Sequence, residues 1–184
     1  MLRPVEITKI EFVCHLLEII GVIAVLFLAF GAQLLFHELP CPLCLLQRIG
    51  FCCIAFGFLL NLRFGLHPSH YAIVILSALY TIFVALRQIS LHVVPGTGSY
   101  GSAIFGLHLY TWSFIISMII IIVTTLMFSI DRQYLHPQLN SQRLRWITHG
   151  LFAIVTLLLV MNIISVFLEC GFKQCPDNPV TYIL

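Results

Sequence analysis

The chain has 184 residues, of which 60% are hydrophobic and only 9% are charged, and its mean hydropathy is +1.06. A soluble globular domain carries roughly 25% charged residues, so this composition excludes an ordinary soluble protein and indicates a protein of the lipid bilayer. The formal net charge of +2 is too small to favour a nucleic-acid partner, and none is expected.

Five segments are long and apolar enough to cross a bilayer as helices, which need about 20 mostly apolar residues each. In chain order they cover residues 12–36, 43–62, 71–91, 109–130 and 146–168, followed by a tail over residues 169–184. All five must be helices, because a lone strand leaves its backbone groups unpaired in lipid. The first is too long for the apolar core of a signal peptide, so we expect it to be a span. The sequence predicts an all-α integral membrane protein with a single membrane domain over residues 1–184.

Basic residues are distributed unevenly about these spans, which predicts the orientation of the chain. The side that holds only Lys173 is expected to face outward, and the C-terminus lies there. The opposite side, with the N-terminus, is expected to be cytoplasmic and carries Arg3, Lys9, Arg63, Arg132, Arg143 and Arg145.

Two pairs of cysteines have regular spacing, Cys41/Cys44 and Cys170/Cys175, and with five spans both pairs lie on the outward side. Since that compartment favours oxidised thiols, the two pairs are placed where they can exchange disulfides. The total of seven is odd, so at least one thiol stays free. The remaining cysteines are expected to act as small apolar residues within helices, and they are Cys14, Cys52 and Cys53.

The strongest motif is Pro40-Cys41-Pro42-Leu43-Cys44. Thiols in a Cys-x-x-Cys motif often form thiolates readily, and Pro42 suits the start of a helix, whose N-terminus favours an anion. Arg48 lies one helical turn beyond Cys44 on the same face. A charged residue within a span indicates function, so Arg48 is expected to stabilise the Cys44 thiolate and to bind a quinone oxygen. The alternative is an arginine that extends to the membrane rim.

Three further features lie at or after the outward end of the third span. His92 is a candidate to donate a hydrogen bond or a proton to a quinone oxygen, or else a histidine at a loop edge. Arg87 is expected to have a structural or lipid-headgroup role. Residues 96–101 match G-x-G-x-x-G but lie between two spans rather than in a βαβ unit, so they are interpreted as a loop.

The tail pair, Cys170 and Cys175, is suited to exchange with the thiols of another protein. One alternative is a passive disulfide that only stabilises the tail. Another is a zinc site formed by the four paired cysteines, since structural zinc takes four such ligands. A metal-binding or metal-transport membrane protein is therefore the alternative function.

The run Cys41-Pro42-Leu43-Cys44-Leu45-Leu46-Gln47-Arg48 resembles the signature of the disulfide bond formation protein B (DsbB) family. The resemblance extends through Arg87, His92 and the segment 106–112, over roughly residues 12–130. It implies a four-helix bundle in the bacterial inner membrane, with a quinone (ubiquinone or menaquinone) near Cys44 and Arg48. It also implies that a second outward pair oxidises a periplasmic thioredoxin-like (DsbA-like) protein.

The chain departs from that family in one respect. The family's second pair lies in the outward loop between the third and fourth spans, whereas residues 93–108 contain no cysteine here. We expect Cys170 and Cys175, on an additional fifth span, to replace it. The sequence thus predicts a quinone-dependent protein-disulfide oxidoreductase. Its catalytic residues would be Cys41, Cys44, Cys170 and Cys175, with Arg48 and His92 at the quinone.

Overall fold

A computed structural model of the chain describes residues 4–35, 39–93, 103–135, 142–173, 175 and 182. These residues form helices α1 (Pro4–Leu35), α2 (Pro42–Phe64), α3 (Pro68–His92), α4 (Leu109–Phe128) and α5 (Gln142–Cys170). A short hairpin of strands β1 (Ala103–Ile104) and β2 (Leu107–His108) precedes α4, and a 3-10 helix (Asp131–Leu135) follows it. The loop predicted over residues 96–101 lies outside the described residues.

All five helices are long and apolar enough to cross a membrane, the first through its stretch Ile10–Leu35. The prediction of an all-α protein with five spans is confirmed, and each of these apolar stretches begins and ends within about one turn of its predicted segment. Large apolar side chains such as Leu76, Phe83 and Leu126 are exposed along the helices. In a bilayer these side chains contact lipid, which is as apolar as they are. The single-domain organisation stays a prediction.

Helix α2 begins and ends at residues that suit those positions. Cys41 has an extended backbone and its sulfur accepts a hydrogen bond from the Cys44 N–H at 3.1 Å, while Pro42 occupies the first helical turn. At the other end Gly65 has φ 98°, and its N–H donates to the Asn61 carbonyl at 3.1 Å. A positive φ at this position favours glycine, so the chain turns here into α3.

Helix α2 is the central helix of the bundle. It packs against α1, α3 and α5, while α4 packs mainly against α3. Gly57 permits the close approach of α2 to α3, because a Cβ atom at this position would lie 2.5 Å from Val74 Cγ2 and 3.2 Å from the Val74 nitrogen. The N-terminal turns of α2, which carry the Cys-x-x-Cys motif, are therefore enclosed by other helices.

The end of the bundle opposite Cys41 holds a buried polar cluster. The Nε2 atom of His15 lies 3.0 Å from the Tyr71 hydroxyl, which donates to Gln133 Oε1 at 2.7 Å. The His15 Nδ1 atom lies 3.6 Å from a carboxylate oxygen of Glu18. These side chains connect α1, α3 and the 3-10 helix.

Gly57→Ala is expected to destabilise the protein. Its new methyl group would overlap Val74, and overpacking of this kind costs about 1–3 kcal/mol. The measurement is the thermal unfolding midpoint in detergent, which should fall. Gly21→Ala is the matched control, because a Cβ atom there meets nothing within 4 Å. An equal midpoint for the two variants would contradict the proposed close approach of α2 to α3.

Candidate active site

Cys41 and Cys44 lie side by side at the start of α2, with their sulfur atoms 2.6 Å apart. Both are free, and Cys41 is only 3% exposed. The hydrogen bond to Cys44, followed by burial, raises the pKa of the Cys41 thiol far above its usual range. A proton shared by the pair is therefore held more strongly by Cys41 than by Cys44.

Two buried amide side chains hold this pair. The Nε2 atom of Gln88, on α3, donates to Cys41 Sγ at 3.1 Å and to Cys44 Sγ at 3.3 Å. The Nε2 atom of Gln47 donates to Gln88 Oε1 at 2.6 Å. The Gln88 amide nitrogen thus faces both sulfur atoms, and its oxygen, besides accepting from Gln47, lies 3.8 Å from Cys44 Sγ. A hydrogen-bond donor in this position stabilises a negative charge on either cysteine sulfur.

Arg48 is buried at 6% exposure, one turn beyond Cys44. Its Nη1 atom donates to Gln33 Oε1 at 2.6 Å, and its Nη2 atom donates to the Ala29 carbonyl at 2.9 Å. The guanidinium carbon lies 4.6 Å from the centroid of the Phe30 ring. Arg48 is thus held inside the bundle by α1 rather than extended to the rim, and its charge interacts with Cys44.

A cavity of about 300 Å³ opens beside these residues. Its wall is mostly apolar and is formed by α1, α2, α4 and the hairpin, with polar groups from Cys44, Gln47, Arg48 and Ser113. This volume lies at the lower end of the range of small-molecule sites. A quinone ring is flat and apolar and carries two acceptor oxygens, so an apolar slot with a guanidinium and an amide donor fits it.

His92, predicted at the quinone, contacts a residue of the cavity wall, Tyr110. Its ring centroid is 5.7 Å from that of Tyr110, which lines the cavity and also stacks on His108 at 5.4 Å. His92 is not among the lining residues that the structure describes. A direct contact of His92 with quinone therefore stays a prediction. Arg87, on the same helix, has an exposed side chain.

The tail cysteines, Cys170 and Cys175, form a disulfide. Helix α5 ends at Cys170, where Gly171 has φ 58° and donates its N–H to the Phe167 carbonyl at 2.8 Å. Phe172, inside the disulfide loop, is 96% exposed. The disulfide thus closes a short loop in which Phe172 faces the surroundings.

Helix α5 and the tail contact the surroundings of Arg48. The Nε2 atom of Gln33 donates to the Ser165 hydroxyl at 3.2 Å and to the Tyr182 hydroxyl at 3.1 Å. The Nδ2 atom of Asn162 donates to the Leu45 carbonyl at 3.2 Å. The two cysteine pairs consequently lie at the same end of the bundle, as the count of five spans predicts.

Sequence reasoning missed the amides around the site. Gln33, Gln47 and Gln88 are each buried in an apolar helix, and a polar residue in a span is itself a signal of function. Their partners come from other helices, and one sequence contains no information on that pairing. The same holds for Glu169, a buried carboxyl group at the end of α5.

The remaining cysteines are not among the residues that line the cavity, and no metal cluster is found in the described part of the chain. There, no three His, Cys, Asp or Glu side chains converge as metal ligands. Cys14, Cys52 and Cys53 are free thiols on α1 and α2, with Cys52 buried and Cys53 exposed.

Comparison with known proteins gives one match. Residues 12–100 match the sequence model of a family described as disulfide bond formation protein DsbB. No curated protein and no solved structure matches the chain. The matched region contains α2, α3 and the Cys41–Cys44 pair, and it ends before α4 and α5.

Gln88→Leu is expected to slow the alkylation of Cys44 in the reduced protein by roughly 10–100-fold. A hydrogen bond to a charged group contributes about 1.5–3 kcal/mol, and this variant removes the donor to both sulfur atoms. Iodoacetamide labelling at neutral pH, read by mass spectrometry at Cys44, provides the rate. Gln47→Leu keeps that donor and should have a smaller effect. Equal rates for wild type and Gln88→Leu would show that the amide does not stabilise the thiolate.

Proposed function

We propose that this chain, which belongs to the DsbB family through residues 12–100, reoxidises a periplasmic DsbA-like dithiol protein and passes the electrons to a membrane quinone. Membership of the family implies a disulfide-forming oxidoreductase of the membrane. One observation above all supports the quinone. The Cys41–Cys44 pair and the buried guanidinium of Arg48 face the same apolar cavity.

In this proposal the tail disulfide is the first to accept electrons from the partner protein. Cys175 is more exposed than Cys170, so a partner thiolate would attack the Cys175 sulfur, with Cys170 as the leaving thiol. The second partner thiol then resolves the mixed disulfide and leaves the tail as a dithiol. The exposed loop around Phe172 gives a soluble protein access to this bond.

The tail dithiol next reduces the Cys41–Cys44 disulfide, which is the pair beside the cavity. Cys41 keeps a proton and Cys44 becomes the thiolate that faces the acceptor. A bound quinone, ubiquinone or menaquinone, supplies the capacity to accept two electrons and two protons. Arg48 lies where its fixed charge stabilises negative charge in the cavity, and Gln33 and the Ala29 carbonyl hold it there. His92 is a candidate proton donor acting through Tyr110.

The proposed location is the bacterial inner membrane, with the N-terminus cytoplasmic and the C-terminus periplasmic. Arg63 ends α2, and Arg143 and Arg145 begin α5, so these three basic residues lie at the end of the bundle opposite the cysteine pairs. This distribution agrees with the positive-inside rule.

Quinone reduction by the purified protein with a reduced thioredoxin-like partner tests the relay. Wild type is expected to turn over, while Cys44→Ser and Cys170→Ser should lose activity because each breaks one pair. Cys53→Ser, which changes an exposed thiol on α2 outside the site, is the control and should keep full activity.

Two outcomes would contradict the proposal in different ways. Turnover by Cys170→Ser would show that the tail disulfide is structural and that partners react directly at Cys41. An inert wild type, with oxidised tail and each quinone supplied, would contradict the oxidase function itself.

A further inference from the structure

Glu169 is a buried carboxyl group that has no role in the relay proposed above. It lies in the last turn of α5, next in sequence to Cys170, and is 1% exposed. Its Oε1 atom has no hydrogen-bond partner within the described structure. Isolated charges are too costly to bury without a partner, so this group requires an explanation.

The charged and titratable groups around Glu169 belong to the site itself. Its carboxyl group interacts electrostatically with the Arg48 guanidinium and the Cys44 thiol. Arg48 in turn interacts with Cys44, Cys41 and the Tyr182 phenol of the tail. Glu169 is thus adjacent in sequence to the tail disulfide and within electrostatic range of the inner pair.

We propose that the Glu169 carboxyl group takes up the proton that is released when the tail dithiol reduces the Cys41–Cys44 disulfide. This inference rests on the proposed function and adds to it a proton-accepting residue on a helix that lies beyond the family-matched region.

The exchange between the two cysteine pairs moves two electrons and two protons. The Cys41–Cys44 bond breaks and the Cys170–Cys175 bond forms, so two electrons pass from the tail sulfurs to the inner sulfurs. The two tail thiols give up two protons. One ends on Cys41 Sγ, where the raised pKa of that thiol holds it. Because Cys44 stays a thiolate, the second proton needs another acceptor. Glu169 Oε1 is a buried oxygen of this site without a hydrogen-bond partner in the described structure, and it can take this proton.

Conservation of charge within the buried site is the physical reason for this role. Before the exchange, Arg48 is balanced by the Glu169 carboxylate. After the exchange, it is balanced by the Cys44 thiolate, and Glu169 is neutral. The site therefore keeps one cation and one anion throughout, which avoids the cost of an uncompensated charge in a low-dielectric interior.

Other groups near the pair are less suited to accept this proton. Arg48 is already a cation, and the amides of Gln33, Gln47 and Gln88 do not titrate at neutral pH. His92 is not among the described residues that line the cavity, and in the proposed relay its role is to supply a proton rather than to accept one.

Infrared difference spectroscopy of the quinone-free protein tests the proposal without relying on turnover. Spectra are recorded for the full chain in detergent, before and after reduction with dithiothreitol. Wild type should gain a band of a protonated carboxyl group on reduction. Glu169→Gln, which preserves shape, should lose this band, and Glu169→Asp should restore it at a shifted position. Glu18→Gln, a partly buried carboxyl at the opposite end of the bundle, should leave the band unchanged.

A proton count gives a second readout on the same samples. Reduction of Glu169→Gln in weakly buffered detergent should release about one additional proton per protein to a pH indicator, compared with wild type. A wild-type spectrum without a carboxyl change, or a band that persists in Glu169→Gln, would overturn the inference. Failure of the relay would be visible separately, as quinone reduction that does not depend on Cys170.

Discussion

The rest of the site depends on the burial of one permanent positive charge, that of Arg48. Within a membrane such a charge is costly unless its donors are satisfied and an anion is close. The chain meets this requirement through α1, where Gln33 and the Ala29 carbonyl accept hydrogen bonds and Phe30 offers its ring face. In our proposal the anion is the Cys44 thiolate or the Glu169 carboxylate, which would link the redox state of the cysteines to the protonation of the site.

This constraint also explains how the fifth helix is integrated. Gln33, which holds Arg48, donates to Ser165 of α5 and to Tyr182 of the tail, and Asn162 of α5 donates to the backbone at Leu45. The family match ends before α5, yet α5 contributes hydrogen bonds and a carboxyl group to the cysteine site. In our account, α5 supplies the second cysteine pair, which the loop between α3 and α4 does not contain.

Much of the fold follows from the sequence, because membrane spans are determined by length and hydropathy, which are local properties. The Cys41-x-x-Cys44 motif with Arg48 one turn away is likewise local, so the spacing of its residues is enough to predict it. The hydrogen bonds of Gln88 to both sulfurs and of Gln33 to Arg48 join residues distant in the chain. These hydrogen bonds depend on which helices pack against each other, and the spacing of residues along the chain does not determine that packing. His92 shows the same limit, since its position at the end of α3 is predictable from the sequence and its contact with the Tyr110 ring is not.

The proposed relay requires the tail pair and the inner pair to exchange disulfides directly, and a trapped intermediate tests this requirement most directly. In a Cys44→Ser variant the Cys44 thiol is no longer there to attack Cys41 and release the tail sulfur. A disulfide between Cys41 and the tail should therefore accumulate. The measurement is mass spectrometry of non-reduced peptides from this variant, purified without reductant. Our account predicts a peptide joining Cys41 to Cys170 or Cys175. A free Cys41 beside an intact Cys170–Cys175 disulfide at all times would show that the two pairs do not meet.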